Sequence, residues 1–292
     1  MLRIDSHHHL WDQGVRPQSW MDSATLDRIR GPYTLEDWSA VAGPSGIHHG
    51  VFVQTVPDPA ETPEVLALAD GHPELAAVIG WIDVEHDTLS PGDQLDALLA
   101  GRGGSRLAGV RVAAEHPSVA DWLDSPAVHA AAEALGARNL TLDLLMHPEH
   151  LDAATRLATA HPSTRFVVDH LAKPTMRPED SAAWFDGFEA FGPLAHVACK
   201  LSGFLTFDAS PMTADRLSPF FQAALRAFGP ARMMFGSDWP VNILGGGYAA
   251  AAEITEELIS PLGVRDQEQI WSGTARRWYP ALESALFTTT TQ

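Results

Sequence analysis

The most constraining feature of this 292-residue chain is an alternation: short, almost wholly apolar runs trade places with longer Ala/Leu-rich stretches, and do so eight times. The runs fall at 2–4, 50–54, 78–83, 109–112, 141–145, 166–168, 197–201 and 233–235. Most lack the every-second-residue polarity of a strand with one wet face, so they are expected to be parallel strands buried on both sides. The stretches between them suit helices at about 34–42, 61–71, 92–100, 126–137, 149–160, 180–191, 213–228 and 248–259, with a last one at 266–279. Thr34 with Asp37 three residues on resembles a capping box, and Pro63, Pro126 and Pro148 stand near helix starts. Gly43, Gly71, Gly101 and Gly136 stand at helix stops. Eight strand–helix units in this length fit an α/β fold of the (β/α)₈ TIM-barrel kind better than an open doubly wound sheet. No linker, charge block or repeat divides the chain, so a single domain is expected over 1–280, with a C-terminal tail at 281–292.

Composition narrows the partners. Nineteen Lys and Arg against thirty-seven Asp and Glu give a formal net charge of −18, which repels a phosphate backbone and argues against nucleic acid. The one cysteine, Cys199, rules out an internal disulfide and any Cys-rich metal site. No apolar run approaches the roughly 20 residues that span a bilayer, and the N-terminus has no apolar signal core; a cytoplasmic protein, monomer or homodimer, is expected. Only two of the basic residues are lysines, Lys173 and Lys200, and both follow or end a strand candidate.

A parallel barrel collects its chemistry at the carboxyl ends of its strands. The first run leads into Asp5-Ser6-His7-His8-His9. Strand alternation puts Asp5, His7 and His9 on one face, where the two imidazoles suit one divalent cation and the carboxylate would orient them from behind. The fourth run carries Arg111, whose fork suits a carboxylate or a lactone oxygen; a structural ion pair fits equally well. The fifth ends at His147, the sixth at Asp169-His170 with Lys173 beyond, and the seventh contains Lys200. The eighth ends in Gly236-Ser237-Asp238-Trp239-Pro240. Closure would bring Asp238 beside His7 and His9, as a metal ligand or as the general base that takes a proton from water. Gly245-Gly246-Gly247 has neither phosphate-loop nor dinucleotide spacing and reads as a flexible loop over the mouth. Trp11, Trp20, Trp81 and Trp239 are candidates to wall a pocket for a sugar's apolar face, or to pack in the core.

The runs Ile4-Asp5-Ser6-His7-His8-His9-Leu10-Trp11, Val168-Asp169-His170-Leu171-Ala172-Lys173-Pro174, Lys200-Leu201-Ser202-Gly203 and Phe235-Gly236-Ser237-Asp238-Trp239-Pro240, with Trp81-Ile82-Asp83 and Gly109-Val110-Arg111, resemble the amidohydrolase-related family. More narrowly, they look like its branch of sugar-lactone and 2-pyrone-4,6-dicarboxylate lactonases. The resemblance runs in order from residue 2 to about 279. It implies a hydrolase that opens a cyclic ester, with His7, His9 and Asp238 as metal ligands and His170 and Asp238 as catalytic residues. Substrate contacts would fall on Arg111 and Lys200. The family includes zinc-bound and metal-independent members, so a divalent metal, zinc first, is implied without being required. Three departures bear on substrate choice: Met146-His147-Pro148 adds a polar group or a third imidazole ligand, residues 242–247 are glycine-rich, and Thr274 stands where an Asn commonly caps the last helix.

The expected reaction is opening of an aldono-1,4- or 1,5-lactone to the aldonic acid. Arg111, Lys200, His147 and Trp81 would contact the substrate, and Asp238 would activate water. A dicarboxylate would demand more arginine at the mouth, which ranks pyrone-dicarboxylates and muconolactones lower. The alternatives are a metal-dependent decarboxylase or an amide hydrolase of the same superfamily. A non-catalytic ligand-binding barrel is the answer from outside enzymology.

Overall fold

A computed structural model describes residues 1–86, 89–114, 122–177 and 181–288. Eight parallel strands pair in chain order: β1 (Ile4–His8), β2 (His49–Val53), β3 (Leu75–Gly80), β4 (Leu107–Ala113), β5 (Thr141–Leu145), β6 (Arg165–Val168), β7 (Val197–Leu201) and β8 (Met233–Phe235). Helices alternate with them: α1 (Leu35–Ala42), α2 (Glu61–Ala69), α3 (Pro91–Ala100), α4 (Pro126–Ala137), α5 (Leu151–Ala160), α6 (Ala182–Glu189), α7 (Ala214–Phe228) and α8 (Tyr248–Ile259). The expected (β/α)₈ barrel is therefore present. Among the described residues no helix is long and apolar enough to cross a membrane.

Closure falls between β8 and β1 and uses backbone beyond the short last strand. Asp238 N–H donates to His7 O at 2.8 Å and His9 N–H to Trp239 O at 2.7 Å. The buried Asp5 carboxylate clamps the same seam, accepting from Ser237 N–H (2.8 Å), Ser237 Oγ (2.6 Å), Trp38 Nε1 (3.1 Å) and Tyr248 Oη (3.0 Å). Asp5 thus ties α1, α8 and the β8 turn together, and is not aimed at the imidazoles from behind as alternation predicts. The pairing with β2 explains why: Asp5 opposes Gly50 and His8 opposes Phe52, so β1 holds one extra residue between them and the side-chain phase slips.

Several boundaries differ from the sequence pattern. Strand β1 runs on through the histidines, because their side chains are buried and need no solvent. Strand β3 begins three residues early, where Leu75, Ala76 and Ala77 are fully buried. The expected helix at 266–279 is a rod of α9 (Val264–Glu268), a π-turn at Gln269–Gly273 and α10 (Thr274–Trp278). Of the residues assigned to a tail, Ala281–Thr288 form α11, whose Leu282 and Ala285 are fully buried.

The barrel interior is layered. At its base Val51, Ile79, Val167, Ala198 and Met234 meet Trp278, Tyr279, Leu282 and Ala285, which close the floor. Charged side chains occupy the level above, and the open carboxyl ends of the strands lie at the top.

Candidate active site

His7 and His9 leave β1 toward the barrel mouth, while His8 turns outward and stacks on Trp38 with ring centroids 4.6 Å apart. That outward imidazole is fully buried, and burial pulls its pKa down to about 3, so it stays neutral. His7 Nε2 and His9 Nε2 are 3.2 Å apart, and Asp238 Oδ1 lies 3.7 Å from the first and 3.3 Å from the second. The first and last strands therefore bring together the three groups that the sequence placed there. His170 joins them, with Nε2 3.9 Å from Asp238 Oδ1 and Nδ1 2.8 Å from Ser202 Oγ. Burial lowers the His170 pKa well below the usual imidazole range, outweighing the pull of Asp238, and keeps the ring neutral at pH 7. For Asp238 burial raises the pKa, but His170, His9 and Lys173 outweigh it, so the carboxyl sits below its ordinary value and is ionised at pH 7.

The left-handed backbone around the site is unusual. His170, Leu171, Ala172 and Lys173 have φ of 53°, 52°, 55° and 48°, and Asp238 has φ 57°. None is glycine. Such a conformation costs roughly 1–2 kcal/mol per residue, so the turn after β6 persists only because its surroundings over-determine it. Trp184 Nε1 donates to Leu171 O at 2.7 Å, and Leu171 and Ala172 are fully buried. Gly203 is required opposite: its φ is +68°, and a Cβ there would stand 2.6 Å from His170 Nδ1.

Beneath the imidazoles lies a buried charge network. Lys200 Nζ sits 2.5 Å from Asp143 Oδ2, 2.9 Å from Asp169 Oδ1 and 3.2 Å from His7 Nδ1. Tyr279 Oη donates to Asp143 Oδ2 at 2.8 Å. Arg111 Nη1 is 3.7 Å from Asp169 Oδ2. Burial pushes Asp143 up to about 6 despite the lysine, whereas the pull of Lys200, His170 and Arg111 overcomes burial at Asp169 and holds it below the usual value. Lys200, expected at the substrate, is fully buried and lies one layer below the mouth. A β-strand residue's height along the barrel axis is set by strand stagger, which the sequence pattern does not report.

Above this network opens a cavity of about 770 Å³. Its wall includes His9, Gln54, Arg111, His147, His170, Lys173, Phe207 and Asp238. Arg111 and His147 are where the sequence expected them, and Trp20 also lines the wall. Trp81 does not line it; its backbone N–H donates to Thr62 Oγ1 of α2 at 2.9 Å. Trp11 lines a neighbouring cavity of about 360 Å³, and Trp239 is buried at the β1–β8 seam. The glycine loop is not in the wall either; Gly245 packs so closely on Leu205 that a Cβ would meet its carbonyl oxygen. Sequence reasoning passed over Asp143, Asp169 and Lys173 as site residues. The Asp-His pair at 169–170 and the scarcity of lysine were the signals available.

The donor set fits a divalent cation. His9 Nδ1 is 2.7 Å from Val53 O, which fixes the ring proton on Nδ1 and turns the Nε2 lone pair toward Asp238 Oδ1. Two acceptors at 3.3 Å need a cation or a proton between them. His7 Nε2, His9 Nε2 and Asp238 Oδ1 all lie within 4.8 Å of one another; His7, Asp169 and His170 form a second such group, and His147 belongs to neither.

Paired imidazoles at the end of β1, an imidazole after β6 and a carboxylate after β8, all at the carboxyl ends of a closed parallel barrel, define a hydrolase barrel of the amidohydrolase type. Residues 4–281 match the amidohydrolase family, and the chain belongs to it. It is 32% identical over 282 residues to an L-fucono-1,5-lactonase of Burkholderia ambifaria, covering 95% of each chain. A second L-fucono-1,5-lactonase, from Burkholderia multivorans, is 30% identical over 97% of this chain and 98% of its own. Among solved structures, an amidohydrolase from Burkholderia multivorans with bound zinc is similar with a TM-score of 0.87 and 29% identity, covering 96% of this chain and 99% of that one.

Proposed function

We propose that this protein hydrolyses a sugar-derived lactone to its aldonic acid. Given the names of its relatives, the 1,5-lactone of a deoxy-sugar acid is the first candidate. The observation that carries the reading is an ionised Asp238 facing two imidazoles at the base of a cavity with room for a six-membered lactone ring. His7 and His9 orient a water against Asp238. Asp238 accepts its proton as the oxygen adds to the lactone carbonyl. When the tetrahedral intermediate collapses, the bond from the carbonyl carbon to the ring oxygen breaks and the proton on Asp238 passes to that oxygen. The product is an open hydroxy acid, which releases one proton to solvent. A divalent cation held by His7, His9 and Asp238 would supply Lewis-acid polarisation and a more acidic water. Arg111 and His147 stand in the wall to orient the sugar, and His170, held by Ser202 and packed beside His7, stands 3.9 Å from Asp238.

The test is proton release in a pH-stat over a panel of aldono-1,4- and 1,5-lactones, with a muconolactone and a pyrone-dicarboxylate included. Asp238→Asn is expected to lower kcat about 10²–10⁴-fold on the preferred lactone. Near-wild-type turnover by that variant would remove Asp238 from the base role.

A further inference from the structure

We infer that Trp20 sets substrate choice: its indole is the platform for the apolar face of the lactone ring and for a methyl group at C6, so that 6-deoxy-hexono-1,5-lactones are taken in preference to their 6-hydroxy counterparts. The inference rests on the lactonase reading and deepens it to a substrate class.

Trp20 belongs to the long connection of residues 9–34 between β1 and α1, on the carboxyl side of the barrel, where such excursions carry function. The connection is tied down. Its two ends pair in both directions, Trp11 N–H to Tyr33 O at 3.1 Å and Tyr33 N–H to Trp11 O at 2.7 Å. Inside it Trp11, Met21 and Ile29 make a small core of their own. Trp11 Nε1 donates to Ile29 O at 3.2 Å, and Arg30 Nη2 to Met21 O at 2.7 Å.

Trp20 stands on this core. Its ring meets that of Trp11 edge to face with centroids 5.6 Å apart, and the Trp11 ring lies 6.2 Å from that of His9. The indole is thus two ring contacts from the imidazole that faces Asp238, and it lines the same cavity. Its Nε1 donates to Gln18 Oε1 at 3.1 Å, so no polar atom of the ring awaits a ligand. What it offers is apolar surface. Trp20 is 37% exposed, and among the described residues no other Trp, Tyr or Phe is as exposed. An apolar ring held open at a cavity, with its N–H already satisfied and one edge packed, is suited to being covered by a ligand's apolar face. In a 1,5-lactone, C5 is bonded to the ring oxygen and carries C6. With the carbonyl carbon held against Asp238, the ring extends away from the centre, and its C–H bonds and the C6 methyl meet the negative face of the indole. A hydroxyl on C6 finds no donor or acceptor on that ring and loses part of its water. Such a contact is the same before and during the reaction, so it acts on substrate binding and leaves the chemical step alone.

Trp20→Ala and Trp20→Phe test this on a matched pair, a 6-deoxy-hexono-1,5-lactone and the 6-hydroxy lactone of the same configuration, and on the two corresponding lactams, which resist opening. The wild type should favour the deoxy lactone about tenfold or more in kcat/KM. Trp20→Ala should bring that ratio below threefold by raising KM for the deoxy lactone, with kcat within threefold of wild type, and Trp20→Phe should keep most of the preference. Calorimetric titration of the lactams should show the same contrast in Kd. A wild-type ratio near one, a ratio that Trp20→Ala leaves unchanged, or a fall in kcat equal on both lactones would overturn the inference and leave the lactonase reading intact. If the wild type opened neither lactone while lactam binding kept a Trp20-dependent preference, the lactonase reading would fall and the platform would stand.

Discussion

The ammonium of Lys200 holds two carboxylates that no water reaches, so Lys200→Met tests the buried network as a whole. Asp143 and Asp169 are both fully buried, at 2.5 and 2.9 Å from Nζ. Removing one partner of such a set leaves uncompensated charge, at a cost of about 3–5 kcal/mol. Unfolding entropy scales at about 2.1 cal/mol/K per residue, so each kcal/mol moves the midpoint of a chain this size by roughly 1.6 °C. The expected fall in Tm is about 5–8 °C. The deficit should also depend on pH in a stated direction. With the lysine present, burial already pushes Asp143 up to about 6 while Asp169 is held below its usual value; without it both carboxyls lose their main stabiliser, so Asp143 rises further and Asp169 rises from its lowered value. A group whose folded pKa exceeds its unfolded one stabilises fully below the unfolded value and loses that contribution as pH rises through the folded value. The variant should therefore be nearest to wild type at about pH 5 and furthest from it at about pH 8. Pairing it with Asp143→Asn should restore part of the loss, because one of the stranded charges is gone. Differential scanning calorimetry or urea melts across that range decide the matter. A Tm within 1 °C of wild type at pH 8, or a deficit that grows on acidification, would refute the reasoning.

Two further outcomes are expected. Gly203→Ala forces a Cβ to within 2.6 Å of His170 Nδ1 at a backbone φ of +68°, so it should cost about 1–2 kcal/mol in urea melts and lower kcat by displacing His170. Zinc titrated into chelator-treated protein should bind at one site by calorimetry, and His9→Ala should weaken that binding at least tenfold, because Val53 orients the Nε2 that it removes.

The fold was legible because parallel barrel strands are buried on both faces and read as unbroken apolar runs. The same rule misplaced β1: His7 and His8 look like solvent-facing residues, yet they are fully buried strand members, one aimed at the site and one at Trp38. The meeting of His7, His9 and Asp238 followed from strand order alone, since a barrel makes its first and last strands neighbours. Lys200 was found but placed too high, because the stagger that sets its depth leaves no mark in local sequence. Lys173 was noticed for its rarity and for following a strand, but nothing in Leu171-Ala172-Lys173 announces a left-handed turn, which in most chains is written with glycine or asparagine. Asp5 was assigned to the wrong partners by a one-residue slip in the pleat.

The floor of the barrel has a consequence in time. Tyr279, from the segment joining α10 to α11, reaches up to Asp143 and so to the lysine beneath His7. That tyrosine emerges from the ribosome after all eight strands that it supports. A nascent chain that has paired β1 with β8 still lacks the keystone of its charge network, which is complete only when the segment after α10 docks beneath the barrel.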